Sequence, residues 1–337
     1  MRVKTCRRCI LRSFIVNNEQ SGKHVVRAAI MAYPSLTAGQ LQKALKHKDI
    51  RIDGKKVSSD NIVTEGQEVQ VWLPDQAFEN KPETVKPKEA AASAYKVVAE
   101  TDDLYIVNKS QGIPVHGGKG VGELNLIDIV RQKTRNSNMD LCHRIDMNTG
   151  GLVMMAKNKE ALEDAIKLFK EDLLIKRYRC LVLGVPTEGE SVVCEDEAIM
   201  KEVSAYLEKA GNGVYIHDLK QDGDLPITSR YRVINVYNGL GPDGTDVADI
   251  EVELVTGRMH QIRAQFAHMG YPIIGDGNYG RNKVNTFFKS LNGGKVRYQQ
   301  LFATTLILRR IPKDNRHHAL SGRRFSIEPR YDVRLGG

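Results

Sequence analysis

The stretch LCHRIDMNTGGLVMMAKNKEAL, residues 141–162, sets Arg144 and Asp146 directly before a Thr-Gly-Gly turn and an apolar run. A carboxylate at such a mouth can bond to an electron-poor carbon or stabilise positive charge on it, provided it stays ionised in a dry site. The same residue types also suit a plain turn, because Asp and Asn side chains hydrogen-bond their own backbone. A solvated loop needs neither a fixed charge pair nor two glycines. Three further stretches carry residues of chemical interest: GIPVH at 112–116 with Lys109 upstream, KRYRCLVLG at 176–184, and LVTGRMHQIRAQFAHMGYPIIGDGNYG at 254–280. No GxGxxG leads into a helix, and no GxxxxGK[ST] is present, so nothing suggests a nucleotide cofactor.

The elements that position these residues follow from periodicity. Tyr95–Ala99 and Leu104–Asn108 read as strands, as do KRYRCLVLG, SRYRVINVY and DIEVELVTG. KEALEDAIKLFKEDLL places Leu162, Ala165, Ile166, Phe169 and Leu173 on one helix face, with Asn158 as cap. GRMHQIRAQ reads as helix, ended by Gly270, so Arg263 projects from one defined face. Strands are not regularly separated by helices, which favours an α+β fold on a largely antiparallel sheet.

Residues 76–94, QAFENKPETVKPKEAAASA, combine two Lys-Pro steps with small and charged residues and read as a linker. Ahead of it, LTAGQLQKALKHK has helical spacing with Thr37 as a possible cap, and IRIDGKKV is a hairpin around Asp53-Gly54. The predicted organisation is a basic extension over 1–21, a small α+β unit over 22–75, the linker, and a large unit over 95–330.

The chain has 337 residues, 41% hydrophobic and 27% charged, enough for two folded domains rather than a disordered chain. No apolar run approaches the ~18 residues of a membrane span, and the basic N-terminus lacks a secretory apolar core, so a cytoplasmic protein is expected. The net charge is +9, with 50 Lys+Arg against 41 Asp+Glu, and the excess is clustered. Lys43, Lys46, Lys48, Arg51, Lys55 and Lys56 form one group, and six Arg and Lys between 309 and 324 form another. Such patches suit a polyanion such as RNA. Five scattered cysteines suggest reduced thiols. Cys6 and Cys9 form a lone CxxC with no completing pair, so no metal is expected.

Taken together, HRID…TGGL…AKN, KRYRC and TGRMHQIR…GYPIIGD…YG resemble the RluA-type pseudouridine synthases, over almost the whole chain. Residues 22–73 resemble the S4-like RNA-binding domain. The resemblance implies a pseudouridine-synthase-like catalytic domain that detaches uracil from ribose, turns it, and rejoins it through carbon, with no cofactor. It implies Asp146 as catalytic aspartate, Arg263 as its ion-pair partner, and Tyr178 as the active-site tyrosine that stacks on the base. Leu254 matches an apolar position against uracil. Arg144 matches the arginine that enters the space of the flipped nucleotide, Lys176 the family's Lys-x-Tyr, and Lys109 a lysine nearby. The expected partner is RNA, ribosomal rather than transfer, met by a monomer.

Four positions depart from the family: Gly150 for serine, Ser110 for proline, Phe302 for histidine, and Ser229 for threonine. A non-catalytic RNA-binding or ribosome-assembly factor on the same scaffold is the alternative. Retention of Asp146, Tyr178 and Arg263 together favours the enzyme. A glycoside hydrolase would pair two carboxylates or use a metal, and the motif supplies a single aspartate.

Overall fold

The computed structural model describes residues 9–36, 38–79, 93–117, 125–211 and 213–335. The chain divides into two compact units, residues 1–87 and 88–337.

The smaller unit is built on an antiparallel sheet of β1 (Cys9–Ile15), β2 (Ile50–Ile52), β3 (Lys55–Val57) and β4 (Glu68–Pro74), in the order β1-β4-β2-β3. Helices Val25–Ala32 and Ala38–Lys46 cover one face through Val25, Leu41 and Leu45, which meet Ile50, Val69 and Val71. Asp53 (φ 49°) and Gly54 (φ 73°) both have positive φ, as the expected type I′ hairpin turn demands. Two boundaries need correction. The predicted extension over 1–21 contains β1, which pairs with β4 along its length, from Cys9 with Pro74 to Ile15 with Glu68. Its basic residues hide the strand pattern, since Arg12 lies over the Phe78 ring and pairs with Asp75. The predicted linker opens with a helix, Asp75–Glu79, whose Ala77 is buried and whose Phe78 meets Tyr33 edge-on. Thr37 and linker residues 80–92 lie outside the described residues.

Among the described residues, the larger unit is built on one sheet of twelve strands. They are β5 (Tyr95–Glu100), β6 (Leu104–Lys109), β7 (Asp140–Leu141), β8 (Gly150–Ala156), β9 (Leu174–Leu183), β10 (Glu190–Val193), β11 (Ile199–Ala210), β12 (Gly213–His217), β13 (Leu225–Tyr237), β14 (Val247–Leu254), β15 (Leu301–Leu308) and β16 (Arg324–Ser326). The path runs β10-β11-β13-β14-β9-β15-β8-β6-β5, with β12 on β11, β16 on β15 and β7 on β8. Only the β15–β8 ladder is parallel among those described, so the expected mixed, largely antiparallel α+β architecture is what forms.

β9 is the spine. Alternation sends Tyr178, Cys180 and Val182 to one face, where helix Gln261–His268 packs through Ile262 and Phe266. Burying Phe266 contributes roughly 1.5–3 kcal/mol, and Tyr231 meets its ring edge-on at 5.4 Å. Arg177 and Arg179 face the other way. Packing continues past the predicted end at residue 330: Val333 is buried, and the Tyr331 hydroxyl donates to Asp249 at 2.9 Å. The Lys159–Lys170 helix is capped by Asn158, which accepts from the Ala161 amide at 2.8 Å. Its buried stripe is Ala161, Ala165 and Leu168, rotated from the predicted face because the alanines let the helix lie close to the sheet.

Gly150 opens β8 opposite Phe302 of β15, and a Cβ there would stand 2.7 Å from the Phe302 ring. Gly150→Ser is therefore expected to destabilise the fold by about 1–3 kcal/mol, read as a lower urea midpoint. Gly150→Ser/Phe302→Leu should lose less than the sum of the two single variants. Strict additivity would show that the two positions do not share this space.

Candidate active site

Apart from Lys109 at the end of β6, the candidate residues of the larger unit sit on four segments: the loop between β7 and β8, β9, the end of β14, and the segment Thr256–Gly280. They surround an open cleft of about 960 Å³ lined by Asp146, Tyr178, Leu254, Arg263, Arg144 and Lys176, among others. Lys109 is not in the lining.

Arg263 holds the centre. Its Nη1 donates to Asp146 Oδ2 at 2.7 Å, while Nε and Nη2 grip Asp276 at 2.7 and 3.0 Å. Burial pushes the Asp276 carboxyl up, but the hydrogen bonds and charge of Arg263, joined by the Tyr279 and Asn278 amides, hold it below the usual range. Asp276 is fully buried, whereas the Asp146 side chain is 27% exposed. One carboxylate is a fixed counter-charge; the other faces the cleft. Tyr279 completes the support, with its ring against the Arg263 guanidinium at 5.2 Å.

The Asp146 loop is tied from behind. The Thr149 amide donates to the Asp146 carbonyl at 3.1 Å, closing the turn. Lys109 is buried, and its Nζ donates to the carbonyls of Ser110, Ile113 and Met147 at 3.0, 2.8 and 2.9 Å. Burial lowers the Lys109 pKa to about 7, against the upward pull of Asp146. Three carbonyl acceptors call for three N–H donors, which only the ammonium form supplies. Lys109 thus positions the loop and is not available to touch substrate, which corrects the substrate-binding expectation. Gln111 adds a bond to the Asn148 carbonyl at 3.0 Å.

Tyr178 is buried among apolar groups on β9, and burial, then the Asp146 charge, raises its hydroxyl pKa. It stays protonated, so it can stack on a base and donate a hydrogen bond but cannot serve as a base at neutral pH. Leu254 is half-buried beside it at the end of β14. Lys176 lies at the cleft edge with its pKa lowered by burial, which Asp172 opposes. Arg144 is exposed. His143 is neutral: burial, then Lys176, pulls it down to about 4, and its Nε2 accepts from the Met154 amide at 3.0 Å.

In the smaller unit, Lys43, Lys46, Lys48, Lys55 and Lys56 are exposed, while Arg51 is half-buried over the Trp72 ring at 4.7 Å. The cluster at 309–324 is less free than its charge count implies, since Arg309 bonds Asp172 at 2.9 Å and Arg316 bonds Asp103 at 3.1 Å.

Three residues of the site escape sequence reasoning: Asp276, Tyr279 and His260. The first two lie in GDGNYG, a run whose glycines advertise a turn but whose acid and aromatic carry no sign of a partner far along the chain. His260 was read as helical. The helix starts at Gln261, and His260 has left-handed backbone (φ 55°, ψ 16°). Gln261 forces this break by accepting from the Arg258 amide at 3.0 Å and Thr256 Oγ1 at 2.9 Å.

Asp276→Asn is expected to weaken the grip on Arg263 and let it drift from Asp146. Turnover should fall tenfold or more, about 1.4 kcal/mol of transition-state stabilisation, with RNA affinity unchanged within twofold. Single-turnover kinetics and equilibrium binding check this; a loss confined to affinity would contradict it.

A model of the family described as RNA pseudouridylate synthase matches residues 103–268, which include Asp146, Tyr178 and Arg263. The chain is 26% identical over 277 residues to ribosomal large subunit pseudouridine synthase C of Vibrio cholerae, covering 81% of each chain. It is 29% identical over 269 residues to the protein of that name in Rickettsia typhi, covering 76% of this chain and 82% of that one. The solved structure of human RNA pseudouridylate synthase domain containing 4 superposes with a TM-score of 0.52 at 20% identity, over 72% of this chain and 92% of that one. That likeness extends to the fold what the sequence relatives indicate of lineage. With the motif stretches converging on one cleft, residues 103–268 carry an RNA pseudouridine synthase domain, and the chain is similar over most of its length to the RluA-type enzymes.

Proposed function

We propose that this synthase isomerises specific uridines of large-subunit ribosomal RNA to pseudouridine, with Asp146 as its catalytic carboxylate. The observation that carries the assignment is the 2.7 Å pairing of Arg263 with Asp146 Oδ2 inside a cleft that also presents Tyr178 and Leu254. Arg263 occupies Oδ2, and no hydrogen bond to Oδ1 is found among the described residues. Oδ1 is then the oxygen that meets the sugar, bonding to it or stabilising it once it becomes electron-poor. The arginine sets a positive charge 2.7 Å from the carboxylate and fixes its orientation.

Uracil reaches this cleft only when extruded from its stack, at a cost of a few kcal/mol. Tyr178 and Leu254 recover part of this by packing on the base, and the tyrosine can donate a hydrogen bond to it. Arg144, exposed at the rim, enters the space the nucleotide leaves or meets a phosphate. Lys176 stands where it can hold the backbone beside Tyr178. The cleft volume lies at the upper end of the roughly 300–1,000 Å³ typical of ligand sites, enough for a nucleotide and part of its neighbours. The reaction adds no atoms and changes no oxidation state, so the chain's own residues suffice.

The smaller unit serves as an S4-like RNA anchor, meeting phosphates through Lys43, Lys46, Lys48, Lys55 and Lys56. Arg51, stacked on Trp72, offers its guanidinium edge to the same backbone. The relatives bear the name ribosomal large subunit pseudouridine synthase C, and this supports ribosomal over transfer RNA as substrate. The enzyme acts as a monomer in the cytoplasm, where that RNA lies.

Pseudouridine should be mapped in cellular RNA with and without this gene. At least one site in large-subunit RNA is expected to vanish without it, to return with the parent, and to stay absent with Asp146→Asn. Restoration by Asp146→Asn would remove Asp146 from the chemistry. Replacing the five exposed lysines by alanine should reduce the slope of log affinity against log salt by about 0.7–0.9 for each lysine that meets a phosphate. An unchanged slope would rule out the anchor role.

A further inference from the structure

We propose that His260, held by Tyr279, is a second positioning residue for Asp146: with Arg263 it confines Oδ2 and leaves Oδ1 for the sugar. The proposal rests on the reading of Asp146 as the catalytic carboxylate. His260 Nδ1 lies 2.9 Å from the Tyr279 hydroxyl, and Nε2 lies 3.8 Å from Asp146 Oδ2, the oxygen Arg263 already holds. The two rings meet edge to face at 5.6 Å. His260 also lines the cleft.

The hydrogen bonds around Tyr279 favour one imidazole tautomer. The Val214 amide of β12 donates to the Tyr279 hydroxyl oxygen at 3.0 Å, and among the described residues Nδ1 is the acceptor within reach of the phenolic proton, so we assign that proton to the bond with Nδ1. Nδ1 is then the acceptor, and the remaining proton sits on Nε2, facing Asp146. A separation of 3.8 Å exceeds a hydrogen bond. Such contacts are often long in unliganded enzymes and tighten with substrate in place.

The backbone supports a functional reading. His260 is in left-handed conformation at φ 55°, a region few non-glycine residues adopt. Tyr279 spans both groups that approach Oδ2, with its ring against Arg263 and its hydroxyl on His260. One side chain thus sets the distance between the two donors.

The electrostatics favour a neutral donor. Burial lowers the His260 pKa below its ordinary value, Asp146 raises it, Arg263 lowers it, and Asp276 raises it. Those three, with Tyr279, are the titratable and charged groups facing it from the loop before β8, from its own helix and from the segment after it. Arg258 and Lys209 line the same cleft. At neutral pH the ring guides Asp146 through one N–H. At acid pH it becomes a cation against Oδ2, over-stabilising the carboxylate and drawing it from the sugar. Activity depends on the neutral ring, so it falls as pH drops through a folded pKa lying below the ordinary value of about 6.5.

The test compares the full-length parent with His260→Asn, Tyr279→Phe and Asp146→Asn in single turnover on substrate RNA across pH 5–8, alongside thermal melts. Asparagine tolerates left-handed backbone and does not titrate. His260→Asn is expected to lower the rate at neutral pH about tenfold, to leave the RNA concentration for half-saturation within twofold, and to lose the acid limb. Tyr279→Phe should keep an acid limb but shift it, since the ring loses its Nδ1 partner. Parental rate and acid limb in both the His260 and Tyr279 variants, with Asp146→Asn inactive, would overturn this proposal alone. An active Asp146→Asn would overturn the reading beneath it. Should His260→Asn melt early, Tyr279→Phe decides: an unmoved limb refutes the relay.

Discussion

A single guanidinium between two carboxylates governs this site. Burying an arginine and an aspartate is costly, and the attraction offsets it only when the remaining donors and lone pairs are filled. Asp276 meets that condition with two amides and two arginine nitrogens. It can therefore stay ionised at no exposure, and Arg263 cannot leave it without stranding a buried charge. Asp146 receives only the third nitrogen, from the most solvated side of the fork. The asymmetry gives each acid its task. The fully satisfied one anchors the arginine, and the under-satisfied one turns toward the cleft with Oδ1 outside the arginine's reach.

That arrangement needs Tyr178 to face it, and Tyr178 is held by the other side of the sheet. Arg177 has no side-chain exposure, and it bonds Asp196 on one hand and Glu253 on the other. Glu253 pairs in turn with Arg230, Arg230 with Glu202, and Arg179 with Asp249. The result is a ladder of charges across β9, β14, β13 and β11. A strand's side-chain period is two, so sliding β9 by one residue would bring both arginines into the apolar face and turn Tyr178 away from the cleft. The ladder makes that slip prohibitive. It is a register lock for Tyr178, built from side chains on the opposite face of the sheet.

Much of this was legible in the chain, and the limits have physical causes. Strands β5, β6, β9 and β14 and the I′ hairpin follow from alternation and from Asp-Gly, which are local signals. Asp146, Arg263 and Tyr178 converge as the motif resemblance implied. What escaped depends on distance or on masking. β1 was hidden by Arg12, whose charge reads as solvated although its guanidinium rests on Phe78. Lys109 has the composition of a phosphate contact, yet three carbonyls 1, 4 and 38 residues away absorb it. Asp276 and Tyr279 offer no local pattern at all, because their partners are fixed only when the sheet brings helix and turn together.

The four departures from the family pattern obey the same logic, since each is answered by a neighbour. Gly150 has no side chain because the Phe302 ring takes its place. Ser110, unlike proline, has an amide, which donates to the Ala94 carbonyl at 2.8 Å. Ser229 is wholly buried, donating to Gln265 at 2.7 Å while accepting from Gln261 at 3.0 Å. None of these positions touches the Asp146–Arg263 pair. At the rim of the cleft Met147 and Met259, on the two motif loops, stay 47% and 42% exposed beside Arg144. An apolar side chain left in water at a nucleic-acid cleft gains most when it slides against an unstacked base.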